Sequence, residues 1–272
     1  MLKNSAIWIL AMIITVASAV FQRKTGPTYP LSGRSSLGDL NLPYRFERTH
    51  AGSGDRTVSI VAPSADVTAE LVWRRYKSGE EWTRQPMSRS GELLTAALPH
   101  QPPAGKLEYH VEVSRGDQFV LLPARENVVI RFRGDVPAWA LVPHVALMFL
   151  AMLFATVVGL LSLNPNAPIM GKIWTTIILL FLGGFVFGPI VQKFAFSEYW
   201  TGFPFGTDLT DNKTLIALAT WLITMVIIRR KPARRRFAAF AALITLAVFM
   251  IPHSLHGSEL DYTKIKQPAM TQ

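Results

Sequence analysis

Four stretches of the chain, residues 138–163, 173–191, 214–228 and 237–251, are long, apolar and almost free of charge. This limits the folds open to it. A helix rises about 1.5 Å per residue, so with flanking residues each stretch can cover the roughly 30 Å hydrocarbon layer of a bilayer, where backbone polar groups must be satisfied within the segment. A fifth apolar run, residues 5–21, opens the chain. Half of the 272 residues are hydrophobic and the formal charge is +10, which alone fits a soluble basic globule or a membrane protein. The clustering of the apolar residues selects the membrane protein.

Basic residues orient such an array, because Lys and Arg near span ends are retained on the cytoplasmic side. The decisive cluster is "RRKPARRR", comprising Arg229, Arg230, Lys231, Arg234, Arg235 and Arg236. Placed inside, it makes the turn 164–172 internal and the loop 192–213, the C-terminal tail and residues 23–136 external. A short basic turn between two spans, without interleaved aromatic residues, does not point to nucleic acid. The opening run carries Lys3 and the small triplet Ala17-Ser18-Ala19, as a cleavable secretory signal does, whereas Val20 and Phe21 extend it as in an uncleaved signal anchor. The anchor is the preferred reading, and either choice exports the segment C-terminal to it. The lack of cysteine fits a bacterial envelope protein without disulfides.

Between residues 25 and 136 the hydrophobic period changes from helical to two. "RTVSIVA", "AELVWRRY", "ELLTAAL", "KLEYHVEV", "QFVLL" and "NVVIRF" are short, rich in β-branched or aromatic residues and separated by turn residues. In "KLEYHVEV" one face carries Leu107, Tyr109, Val111 and Val113, and the other Lys106, Glu108, His110 and Glu112. Six or seven such strands predict a β-sandwich with one buried and one wet face on each sheet. The stretch "LPHQPPAGKLEYHVEV" resembles immunoglobulin-like and fibronectin type III-like domains, in which a Pro/Gly-rich turn enters a strand bearing a corner tyrosine. The resemblance implies that Tyr109 is that tyrosine, bonded back to the backbone, and that Trp73 fills the core, without the inter-sheet cysteine pair of antibody domains. It implies nothing about activity. His50, His100 and His110 read as solvated residues, Trp82 as an aromatic over the sheet edge, and no nucleophile elbow or hydrolase spacing occurs.

The run 214–228 covers only about 22 Å, so polar residues must enter the outer edge of the membrane. Those of "GTDLTDNKT" are Asp208, Asp211, Asn212 and Lys213. Asp208 or Thr210 is suited to cap the helix, and Lys193 to snorkel or pair with Asp211. Before them, "EYWTGFPFG" sets Tyr199, Trp200, Phe203 and Phe205 on a loop that reads as an interfacial belt, or alternatively as a lid. His144, His253 and His256 fall at the same external depth. His253 and His256 share a helical face with Glu259, so these residues with Asp261 form a candidate divalent-metal site. His144 with His253 or His256 could instead hold a b-type haem, or meet a quinone, in a slot opened by Gly183, Gly184 and Gly188. Interfacial hydrogen bonding is the simpler role for these histidines, and without an internal repeat transport is disfavoured.

The expected architecture is an N-terminal signal anchor or peptide (1–24), an extracytoplasmic immunoglobulin-like β-sandwich (25–136), a four-span helical membrane domain (137–262) and an external tail (263–272). The expected function is non-catalytic binding or assembly with a membrane or envelope partner in the bacterial inner membrane. The alternative is a metal- or haem-binding redox module.

Overall fold

The computed structural model describes residues 4–252 and 259–262, which divide into a helical unit (4–27 and 136–252) and a β unit (28–135 and 259–262). In the helical unit, α1 (Asn4–Thr25), α2 (Ala138–Leu161), α3 (Met170–Phe181), a π-helical turn (Leu182–Phe187), α4 (Gly188–Phe196), α5 (Leu209–Arg230) and α6 (Phe237–Met250) come in order. These helices are apolar outside as well as inside. Ile9, Val142, Ile223, Phe240 and Leu243 are each at least 60 % exposed, a surface that in water would drive association. Among the described residues, four helices are long and apolar enough to cross a membrane, namely α1, α2, the continuous 170–196 segment and α5, which suggests a membrane protein.

The last apolar run, expected as the fourth span of the membrane domain, is not among these four. α6 has 14 residues, about 21 Å, because Ile251 precedes Pro252 and takes an extended conformation that ends the helix. Its packing is nonetheless tight. Trp221 of α5 is fully buried and donates its indole N–H to Thr245 Oγ1 of α6 at 2.9 Å. In the 170–196 segment the close approaches are made by glycines: a Cβ on Gly184 would lie 2.3 Å from Thr214 Cγ2 of α5, and one on Gly183 would lie 2.9 Å from the Met148 sulfur of α2.

The β unit contains, among its described residues, eleven strands in three sheets. β1 (Leu31–Leu37) and β2 (Leu40–Phe46) form a hairpin. β4 (Arg56–Val61), β8 (Leu93–Leu98) and β7 (Ser88–Ser90) form a second sheet in the order β4-β8-β7. The third has the order β3-β11-β9-β5-β6, from β3 (Thr49–Ala51), β11 (Val128–Arg133), β9 (Lys106–Arg115), β5 (Thr68–Arg75) and β6 (Thr83–Pro86), with β10 (Gln118–Leu122) also on β9. β11 pairs with β3 in parallel. Along β9, Leu107, Tyr109, Val111 and Val113 are buried and alternate with partly exposed neighbours, as its period of two predicts. All three sheets contribute to one apolar core.

Two details depart from the sequence reading. The Tyr109 hydroxyl does bond to backbone, but to the Glu47 carbonyl at 3.2 Å, 62 residues upstream, so it ties β9 to the segment after β2 instead of closing a local corner. Trp73 stands at the margin of the core, whose large aromatic side chains are Phe46, Tyr109 and Phe132.

Gly184→Leu should lower the stability of the helical unit by about 1–3 kcal/mol through overpacking. Thermal unfolding in detergent measures this, and adding Thr214→Ala should restore part of the loss. Tyr109→Phe should cost about 1 kcal/mol through the lost hydrogen bond.

Candidate functional site

α5 begins five residues before its apolar run, and the added turn is polar. Asp208 is its N-cap, accepting from the Thr210 amide at 2.7 Å and satisfying one of the free donors of the helix start. Asp211 is only 7 % exposed, so its charge must be met by donors. It accepts from the Thr201 amide at 2.7 Å, the Thr201 hydroxyl at 3.3 Å and Gln192 Nε2 at 3.2 Å. Asn212 Oδ1 accepts from the Phe203 amide at 2.7 Å.

These bonds fasten the loop 197–208 over the first turn of α5. The chain passes so close that a Cβ on Gly202 would lie 2.6 Å from Asp211 Cβ, and one on Gly206 would lie 2.4 Å from the Thr201 carbonyl oxygen. Trp200 stacks on Phe185 with ring centroids 5.3 Å apart and donates its ring N–H to the Phe203 carbonyl at 3.0 Å. Tyr199, Phe203 and Phe205 remain 58 %, 67 % and 82 % exposed. The result is a fixed loop carrying exposed aromatic side chains.

The charges beside it serve the backbone as well. Lys213, buried to 2 % exposure, donates to the Ile251 carbonyl at the end of α6 at 2.7 Å. Lys193 does not take Asp211. It donates to the Ser197 carbonyl at 2.8 Å, four residues on, where α4 ends in a left-handed residue, and its ammonium lies 5.1 Å from the Tyr199 ring centroid. His144 Nδ1 is 2.9 Å from the Gly183 carbonyl oxygen in the π-helical turn, which engages one ring nitrogen with backbone. The Gly183 and Gly184 faces expected to open a haem slot are occupied by Met148 and Thr214. His253 and His256 lie outside the described residues.

Glu259 and Asp261, expected beside those histidines in the membrane domain, belong to the β unit. Glu259 is held by Lys106 Nζ at 2.8 Å and Lys77 Nζ at 3.3 Å. Burial raises its carboxyl pKa, but the hydrogen bonds and charges of the two lysines outweigh this and bring it below the usual carboxylate range. The Leu260 amide donates to the Ala104 carbonyl at 3.2 Å. The Tyr262 hydroxyl accepts from the Lys106 amide at 2.9 Å and can donate to Gln101 Oε1 at 3.1 Å, with the Arg75 guanidinium 5.4 Å from its ring centroid. Burial pushes the Tyr262 phenol up to about 12. Residues 259–262 are thus a strap across the ends of β5 and β9. Among the described residues, no group of three or more His, Cys, Asp or Glu could hold a metal ion.

Within the β unit, His50 Nε2 is 2.9 Å from the Gly54 carbonyl oxygen, and the rings of His50 and His100 meet the Phe132 ring edge to face. Trp82 packs on His110 at 5.2 Å and under the Arg74 guanidinium at 4.4 Å, covering the outer face of the sheet.

At the opposite end of the helical unit from the loop, Arg235 points inward. Its guanidinium bonds the carbonyls of Leu161 at 3.3 Å, Ser162 at 3.1 Å and Ala167 at 2.7 Å, as well as that of Pro165. It therefore caps the C-terminal end of α2. Arg229, Arg230, Lys231, Arg234 and Arg236 are exposed.

Sequence reasoning missed Gln192, the capping role of Arg235 and the strap. Gln192 left only the weak signal of a lone amide at the end of an apolar run, and Tyr262 that of an isolated aromatic in a polar tail. No protein-family model matches the chain, and no curated protein matches it.

Asp211→Ala should cost the loop about 2 kcal/mol by stranding the Thr201 amide and Gln192. A red shift of Trp200 emission and faster proteolysis within 197–207 would report it, and Asp211→Asn should lose less. The strap should respond to pH at both limits. Glu259 contributes fully above the unfolded carboxylate pKa, near 4.5, and less as pH falls below it, whereas Tyr262 contributes fully below about 10 and progressively less towards 12. Thermal melts of the wild type should therefore weaken between about pH 10 and 12, and Tyr262→Phe should remove that part of the alkaline loss.

Proposed function

We propose that the chain is a polytopic bacterial inner-membrane protein of non-catalytic binding, assembly or accessory type, whose β unit and aromatic rim engage a membrane or envelope partner. The observation that carries this reading is the loop 197–208. Asp211 and Asn212 hold its backbone from within, while Phe203 and Phe205, 67 % and 82 % exposed, are held outward. Fixing exposed aromatic rings in advance reduces the ordering cost of association, and aromatic side chains are enriched at protein interfaces.

Orientation is argued from charge. With the exposed basic residues of 229–236 in the cytoplasm, the β unit, the loop and the C-terminus are periplasmic. Retention of the N-terminal segment as an anchor is supported by α1, which buries Ile7, Ala11, Thr15 and Ser18 as one stripe within the helical unit. An immunoglobulin-like assignment of the β unit is supported by the strand orders β4-β8-β7 and β3-β11-β9-β5-β6 around one core, with the β1–β2 hairpin as an addition.

The reading is tested by purifying the full chain from its native membrane in mild detergent. A Phe203→Ser/Phe205→Ser variant should keep its melting temperature and lose a stoichiometric co-purifying protein. Retention of that protein by the variant would contradict the assignment. A reduced-minus-oxidised haem band, or stoichiometric metal lost in His253→Ala, would establish the redox alternative instead.

A further inference from the structure

The charges of the helical unit are divided between its ends. Residues 136–252 contain three acids, Glu198, Asp208 and Asp211, all in the loop and the first turn of α5. The other end, formed by the α2–α3 and α5–α6 connections, has no acid in its sequence and seven basic residues: Lys172, Arg229, Arg230, Lys231, Arg234, Arg235 and Arg236. Two of the seven are engaged with backbone. Arg235 caps α2, and Lys172 Nζ lies 3.4 Å from the Pro168 carbonyl oxygen. The remaining five are exposed.

This is a shaped surface more than a loose basic run. Through Arg235, the turn after α5 is tied to carbonyls of the turn after α2, and the Pro232–Arg234 segment is a 3-10 turn. The five exposed cations therefore project from the last turn of α5 and the braced connection after it, at the end shared with α2 and the 170–196 segment, and these three are long and apolar enough to cross a bilayer. That places them at headgroup depth, where each Lys or Arg is attracted to anionic lipid. We propose that Arg229, Arg230, Lys231, Arg234 and Arg236 bind the phosphate headgroups of anionic phospholipids, which supply the counter-charge this end lacks. Arginine suits the task because its planar donor fork matches phosphate oxygens.

The proposal rests on the membrane reading, and its test separates the two. Resistance of the full chain to alkaline carbonate extraction from membranes checks the membrane reading alone. The purified chain is then exchanged into nanodiscs of phosphatidylcholine with or without phosphatidylglycerol, and lipid retained after extraction is counted by native mass spectrometry. The ratio of phosphatidylglycerol to phosphatidylcholine in the retained lipid should exceed the bulk ratio about tenfold, and raised salt should reduce the enrichment. Arg234→Gln/Arg236→Gln should at least halve it with little change in melting temperature. Arg234→Lys/Arg236→Lys should retain most of it, whereas Arg235→Gln should lower the melting temperature in both lipid mixtures. Equal retention of the two lipids by a carbonate-resistant protein would overturn the proposal and leave the membrane reading intact. Loss of the enrichment to inorganic phosphate or a single-stranded oligonucleotide at matched ionic strength would also overturn it, because the surface would then serve a soluble anion.

Discussion

A carbonyl at the end of an apolar helix loses its intrahelical partner at the depth where water becomes scarce, and the helical unit depends on how those groups are satisfied. Charged side chains perform much of this work. Lys213 reaches the carbonyl that ends α6, Lys193 the one just after α4, and Arg235 those at the end of α2, while Asp208 and Asp211 accept from amides at the start of α5 and in the loop above it. Asp211 and Lys213 are two residues apart and oppositely charged, yet each is bonded in a different direction. The Asp211 carboxylate faces the loop and the Lys213 ammonium faces α6. Charges that the sequence gathers into one polar cluster are bonded to the backbone within the fold, and Asp211, together with Asn212, holds a loop that carries exposed aromatic side chains.

That distinction governs how much is legible in the sequence. The apolar runs are legible because hydrocarbon thickness and backbone satisfaction leave few alternatives, and β9 is legible because its period of two is unbroken. The β1–β2 hairpin is not, since Gly33, Ser35, Ser36 and Pro43 dilute its pattern. The last apolar run overstates α6 because it continues to Ile251, one residue beyond the point where Pro252 has already stopped the helix.

In the site, the start of α5 among Asp208, Asp211, Asn212 and Lys213 is readable from the shortfall of the run 214–228. Their partners are not, because the Thr201 amide and the Ile251 carbonyl carry no residue signature. "WTGFPFGTDLTDNKT" is distinctive for local reasons: Trp200 and Thr201 are bonded, Gly202 and Gly206 permit close approach, Asp208 caps, and Asp211 and Asn212 anchor. The basic cluster shows the same limit. Its composition is uniform, and only geometry separates Arg235 from its five exposed neighbours.

The proposed binding role draws on two properties of the loop that act together, a rigid backbone and exposed rings. The most direct measurement replaces Phe205 with a photo-crosslinking amino acid in the full chain and illuminates intact native membranes. The account predicts one protein adduct of discrete added mass that is lost when Asp211→Ala releases the loop. Adducts to lipid alone, or a protein adduct unchanged by Asp211→Ala, would contradict it.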